Sequence, residues 1–324
     1  MNNKKLLLLS VFLSILFLNG CVDNNNINSS ETGLESETEV SETEEVKEMI
    51  TNLSFANPGY RNDGYLMGDI DGPAYCVYSK IGYNKASFEV DLGAMDINTV
   101  RKSDGRFINA YLILGCDIYD PTDEYWVNCI DAGIGFLGGD SGWHVFYSLY
   151  STDDTFGGNK WYESNEILNP KHKYRIELDA SKEDGSATLT VYDLNNNEKE
   201  TDSVTLQLQY ALKSGENIRF YQDWALDYPA NTKFDTSKNP SENDWEEITL
   251  YNTDENLYLK NLRIKNSTLF NQDGKHLWTE EHTEQRGIWP DSNNKKLDYE
   301  VVQIKNPVFD HTYWIDFDMN RPEE

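Results

Sequence analysis

The sequence predicts an all-β protein: two antiparallel sheets packed as a sandwich of the jelly-roll kind, with a C-terminal extension. Three observations carry that reading. Apolar and polar residues alternate with a period of two along most of the chain beyond residue 80, the pattern of strands with one buried and one wet face. Glycine and asparagine punctuate these runs at short intervals, as turns require. Sustained helical periodicity is absent, and many short strands between turns lead to a sandwich.

The elements follow in order. Phe88, Val90 and Leu92 alternate with Ser87, Glu89 and Asp91, and strand-like runs follow over 107–118, 125–136 and 143–150. Tyr174, Ile176 and Leu178 alternate with Arg175 and Glu177, and Ala187, Leu189 and Val191 with Thr188 and Thr190. Between those two, Ser181-Lys182-Glu183-Asp184-Gly185 reads as a hairpin loop with a glycine available for positive φ. Further strands are expected over 203–209, 217–222, 247–251, 256–265, 299–304 and 312–317. Gly133, Gly135, Gly138, Gly139 and Gly142 lack the lysine of a phosphate loop and read as a bulged or tightly turned connection.

The first fifty residues are organised differently. Lys4 and Lys5 precede an uncharged run from Leu6 to Leu18, about thirteen residues against the roughly twenty that span a bilayer, so the segment reads as a secretory leader. Its end, Leu18-Asn19-Gly20-Cys21, resembles the lipobox of bacterial lipoproteins. That resemblance implies a lipidated Cys21, cleavage just before it, and export to the outer face of the cell membrane, where two or more acyl chains hold stably. From Val22 to Ile50 the chain carries Asp23, Glu31, Glu35, Glu37, Glu39, Glu42, Glu44, Glu45 and Glu48 against Lys47, a self-repelling spacer reaching on the order of 30 Å. The domain organisation is therefore a leader over 1–20, a lipidated cysteine and acidic tether over 21–50, a sandwich over 51–269 and a β extension packed on it over 270–324.

Charge narrows the partners. With 56 acidic against 28 basic residues and a formal charge of −28, the chain is a poor ligand for phosphate backbones, and the anionic lipid surface repels it. Membrane contact should stay with the acyl anchor, nucleic acid is excluded, a neutral or cationic ligand fits, and a monomer is expected.

Beyond Cys21 there are three cysteines. Cys116 and Cys129 flank the turn Asp120-Pro121-Thr122-Asp123-Glu124, so a hairpin there would set them opposite one another, either as a cross-strand disulfide or as two buried thiols. No ligand set for zinc is present, and His276 and His282, with Glu280 and Glu281 between, read as a solvated loop. Asp117, Asp120 and Asp123 could offer oxygens to calcium, but their spacing fits an acidic turn better. No cofactor is expected, with calcium the one candidate.

Tyr174-Arg-Ile-Glu-Leu-Asp179, Ala187-Thr-Leu-Thr-Val-Tyr-Asp193 and Leu257-Tyr-Leu-Lys-Asn-Leu-Arg-Ile-Lys265 resemble the strand run of concanavalin A-like lectin/glucanase and laminin-G-like sandwiches, over about residues 80 to 266. Bacterial glucanases of that superfamily carry Glu-x-Asp-x-x-Glu. Here Glu89-Val90-Asp91 is followed by Ala94, and Glu177-Leu178-Asp179 by Lys182, where the last glutamate should stand. Both read as solvent-facing charge, no Gly-x-Ser-x-Gly elbow is present, and no catalytic residue is assigned.

What remains is aromatic surplus: eight Trp and twenty Tyr. Flat rings beside hydrogen-bonding groups are what sugars need, and Trp143, Trp161, Tyr162, Gln222, Asp223 and Trp224 are the candidate carbohydrate-binding residues. The competing reading is that these rings fill the space between the sheets. The sequence thus supports a membrane-anchored lipoprotein with a carbohydrate-binding sandwich; the alternatives are a glycoside hydrolase or polysaccharide lyase, or a protein-interaction module. Two carboxylates converging among aromatic rings would favour the enzyme, exposed rings without such a pair the binding module.

Overall fold

A computed structural model of the chain describes residues 72–102, 105, 107–120, 122, 126–137, 142–151, 160–207, 211–228, 256–289, 302–304 and 309–319. Cys21 and the acidic tether lie outside the described residues, as do 125, 208–209, 247–251 and 299–301 of the expected strands and Gly138 and Gly139 of the expected glycine connection.

The fold is an all-β, two-sheet antiparallel sandwich with a C-terminal extension. Among the described residues one sheet has seven strands. Its order is β14 (Thr283–Trp289), β1 (Gly72–Ser79), β11 (Ile218–Tyr228), β4 (Ala110–Tyr119), β5 (Trp126–Leu137), β6 (Gly142–Ser151) and β7 (Lys160–Glu163). The second runs β10 (Lys199–Gln207), β9 (Ser186–Asp193), β8 (Lys173–Asp179), β2 (Lys85–Asp91), β12 (Tyr258–Asn271), β16 (Tyr313–Asp318) and β15 (Val302–Ile304), with β3 (Asp96–Asn98) and β13 (Gly274–Leu277) also paired to β12. No helix among the described residues is long and apolar enough to cross a membrane.

The expected alternation is clearest in β8, where Tyr174, Ile176 and Leu178 are buried between the sheets and their neighbours are half-buried or exposed. The hairpin at Ser181–Gly185 joins β8 to β9, with Gly185 at φ +72°. Residues from Phe270 onward continue β12 and then supply both sheets, β14 edging the seven-stranded one and β15 and β16 the other.

The middle of the seven-stranded sheet, from β1 to β6, is buried on both faces. Leu112, Leu114, Cys116, Phe220, Trp224 and Val77 point into the inter-sheet core. Their neighbours on the other side, Tyr111, Ile113, Tyr221, Cys76 and Tyr78, form a second buried cluster with Cys129 and Phe146. Strands buried on both faces need no polar alternation, which is why β4 is apolar almost throughout and why β1 was missed in the sequence.

Cys116 and Cys129 are not a disulfide. Register pairs Cys116 with Ile130 and Asp117 with Cys129, so the two cysteines are offset by one residue and point to opposite faces. Cys116 enters the inter-sheet core and Cys129 the outer cluster. Burial pushes the thiols of Cys76, Cys116 and Cys129 well above the usual cysteine range, so all three should be inert in the native chain. Ellman's reagent should label them only after denaturation, with no prior reduction needed; rapid native labelling would contradict this packing.

The expected acidic turn also resolves. Asp117 forms a buried ion pair with Arg219 at 2.7 Å, and Asp120 accepts from the Thr122 amide and hydroxyl at 2.7 and 2.6 Å. Asp123 lies outside the described residues. His276 and His282 are not a solvated loop: both are half-buried with rings 5.2 Å apart, and the Tyr83 hydroxyl sits 2.7 Å from His282 Nδ1.

Candidate functional site

The six candidate sugar-binding residues are dispersed by the strand period, since neighbours along a strand face opposite ways. Trp143 is in the inter-sheet core, edge-on to Phe136 at 5.5 Å. Gln222 and Trp224 also point between the sheets. Gln222 Nε2 donates to Ser267 Oγ at 3.0 Å and Tyr313 donates to Gln222 Oε1, while Trp224 Nε1 donates to the Tyr313 hydroxyl at 3.0 Å. For these three the competing reading holds: they hold the sheets together and cannot touch a ligand. Tyr162 stacks on Tyr147 and donates to Asp202 of β10 at 2.9 Å, tying the two sheets at their rim. Trp161 and Asp223 remain, and both belong to the outer face of the seven-stranded sheet.

Register assembles that face row by row. One row runs Cys76, Asp223, Ile113, Gly133, Phe146 and Glu163 from β1 to β7. In the adjoining row, Tyr78 and Tyr221 stand opposite each other on β1 and β11, with Gly115 on β4, while Asp131, Ser148 and Trp161 continue it on β5, β6 and β7. A third row places Arg219, Asp117, Cys129 and Tyr150 together.

Two glycines make the middle of this face. A Cβ on Gly115 would stand 2.1 Å from Tyr221 Cζ, because the Tyr221 ring lies flat across β4 at that point. The ring thereby reaches β5, where its hydroxyl bonds to Asp131 Oδ1 and, at 2.9 Å, to the Ile130 carbonyl, with Cys129 Sγ 3.1 Å away. Gly133, at φ +149°, would drive a Cβ to 2.2 Å from the Leu112 carbonyl oxygen.

Two carboxyl groups on this face are perturbed in different ways. Asp223 is fully buried, and neither carboxyl oxygen has a hydrogen-bond partner among the described residues. Burial pushes it up to about 8, against a smaller downward pull from the Cys76 thiol and the Trp224 amide. Burial also pushes Asp131 well above the usual carboxylate range, but the Tyr221 hydroxyl and the Cys129 thiol favour its ionised form. Asp117, the third carboxylate here, is committed to Arg219, whose guanidinium is packed over Tyr78 at 4.6 Å. Burial falls away toward β7, where Trp161 is 46% exposed while stacked on Phe146 at 5.5 Å, and Glu163 is exposed. Among the described residues no group of three or more His, Cys, Asp or Glu is placed to hold a metal ion.

No family model and no curated protein matches the chain. Among solved structures, Scytalido-glutamic peptidase bound to a peptide-based transition state analog aligns over 76% of this chain and 98% of its own, at 8% identity and TM-score 0.43. SCP-B, of the Eqolisin family of peptidases, in complex with the tripeptide Ala-Ile-His, aligns over the same shares at 8% identity and TM-score 0.40. The LG1-3 region of the laminin alpha2 chain aligns over 62% of this chain and 31% of its own, at 12% identity and TM-score 0.29. At these identities and TM-scores the likeness assigns no chemistry to this chain.

Sequence reading missed Asp131 and Tyr221. The signal available was a lone carboxylate inside an apolar strand, Ile130-Asp131-Ala132, where surface charge has no place.

Proposed function

We propose that the chain is an exported, lipid-anchored glycan-cleaving enzyme, with Asp223 as proton donor and Asp131 as base. The observation that carries this is Asp223: a fully buried carboxyl with no close hydrogen-bond partner among the described residues beyond the weak pull of the Cys76 thiol and the Trp224 amide, held protonated through neutral pH, on the same sheet face as a second carboxyl held by a tyrosine. An acid in that state holds the proton that leaves with the glycosidic oxygen as the bond to the sugar breaks, and because it is fully buried a sugar reaches it only where the outer face opens. Asp131 receives the Tyr221 hydroxyl, which favours its carboxylate form against the burial that raises it, and it is assigned as the base that takes the proton of an attacking water.

The two residues stand on β11 and β5, two strand spacings apart across the sheet and two residues apart along it, or about 12 Å between their backbones. Backbones that far apart favour carboxyl groups wider apart than the ~5 Å of a double displacement, so the reaction proposed is a single displacement that inverts the anomeric centre. The lipobox-like Leu18–Cys21 and the acidic stretch behind it support a site held outside the cell on a tether.

The test is reducing-sugar release from a polysaccharide panel by the purified full-length chain, with the product anomer followed by proton NMR. Asp131→Asn should lower turnover at least 100-fold, and the first-formed anomer should be opposite to that of the cleaved linkage. A retained anomer would overturn the single displacement. Release of peptides from a denatured protein, with no sugar released from any glycan, would overturn the glycan assignment.

A further inference from the structure

Trp161 and Glu163 stand two residues apart on β7, so both project from the outer face of the sheet, about 7 Å apart along the strand. Both are exposed, although the rest of their rows is buried. The indole is not a loose surface ring. It is backed by Phe146 at an interplanar angle of 30°, which fixes the orientation of its free side. A fixed ring with one open face beside a carboxylate suits a pyranose, whose C–H face packs on the indole while its hydroxyls donate to the carboxylate.

From Trp161 the row leads through Ser148 to Asp131, about 10 Å away, and the adjoining row leads from Glu163 through Phe146 and Ile113 to Asp223. Between Trp161 and those carboxyls the rows are buried, so a ligand meets this face first at its exposed β7 edge.

Charge selects the kind of sugar. The guanidinium on this face, Arg219, is held by Asp117 at 2.7 Å and also faces Glu284 at 3.7 Å, so it offers little to a ligand carboxylate. Glu163 stands at the entrance, and the chain as a whole carries −28. A polyuronate approaching this edge would meet like charge at long range and at contact.

We infer that Trp161 and Glu163 form a sugar-binding subsite at the exposed edge of the face, and that its ligand is a neutral glycan rather than a polyuronate. This rests on the enzyme reading above for the direction in which the glycan runs, but binding at the subsite can be read without cleavage.

The experiment uses the full-length chain carrying Asp223→Asn, so that substrate is bound and not consumed. Affinity electrophoresis in gels containing a β-glucan, a xylan or a mannan is compared with gels containing alginate or pectate. At least one neutral glycan should retard the chain, and the polyuronates should not. Adding Trp161→Ala should weaken that retardation at least tenfold, whereas Trp314→Ala, at an exposed tryptophan on the nine-stranded sheet, should leave it unchanged.

Retardation by polyuronates alone would overturn the charge argument, and equal retardation with and without Trp161 would overturn the subsite. No retardation by any of the five would overturn both. If the neutral glycan is bound through Trp161 while the unsubstituted chain releases no sugar, the subsite stands and the enzyme reading falls. The separate arms therefore tell the two failures apart.

Discussion

Gly115→Ala is expected to destabilise the domain by about 3–5 kcal/mol and to abolish the outer-face site in the same step. The added methyl would lie 2.1, 2.3 and 2.4 Å from Tyr221 Cζ, Cε2 and Oη, distances at which either the ring or the strand must move. The ring cannot swing clear. It is 2% exposed, tilted against Tyr78 at 5.3 Å, and bonded through its hydroxyl to Asp131 and the Ile130 carbonyl. Overpacking of this kind costs about 1–3 kcal/mol, and stripping a buried carboxyl of its donor adds a similar amount. Against a typical domain stability of about 5–15 kcal/mol the loss is large. Urea unfolding checks it, and a double-mutant cycle identifies the cause. Tyr221→Ala alone should also be costly, through the cavity it leaves. Combined with Gly115→Ala it should cost clearly less than the two together, because the clash is gone. Additive losses would show that the methyl does its damage elsewhere.

The two-sheet architecture was legible because most strands bury one face only. Tyr174, Ile176 and Leu178 announce β8 by alternation, and the Ser181–Gly185 loop announces its hairpin partner. Legibility fails where both faces are buried. In β1, Tyr75 and Val77 pack inward while Cys76 and Tyr78 pack outward, so no period is visible. The β7 segment, Lys-Trp-Tyr-Glu, is too short to stand out, and the β14 segment, Thr-Glu-Gln-Arg-Gly-Ile-Trp, is too polar and shows no alternation.

The site was only partly legible, for a geometric reason. Clusters such as Tyr221-Gln222-Asp223-Trp224 look continuous in sequence, yet a strand deals alternate members to opposite faces. Asp223 and Tyr221 thus join Asp131 from β5, some ninety positions away, while Gln222 and Trp224 leave for the core. Nothing in a local window connects residue 131 to residue 221. The connection is made by register and by a glycine small enough to let a tyrosine cross a strand.

Asp223→Asn should make the chain less active and, at neutral pH, more stable. The sign follows from proton counting. The carboxyl titrates near 8 in the folded chain and near 3.8 when unfolded. Between those values the native state holds one proton more than the unfolded state, so stability falls as pH rises, by about 1.4 kcal/mol per unit. Below pH 3.8 the group costs nothing through ionisation; by pH 7 the accumulated penalty is on the order of 4 kcal/mol, and it reaches its limit just above pH 8. Asparagine cannot ionise, and its amide is as poorly partnered in the fold as the protonated acid it replaces. The substitution therefore removes the pH-dependent penalty and little else. The variant should unfold at markedly higher urea than the parent at pH 7, and the two should converge near pH 4. In the same preparation sugar release should drop by at least 100-fold, the usual scale for losing a general acid. A residue kept for packing would not separate these two readouts in that direction. Destabilisation at pH 7, or an equal shift at pH 4 and pH 7, would mean that Asp223 is not held as a buried acid, and the assignment of proton donor would go with it.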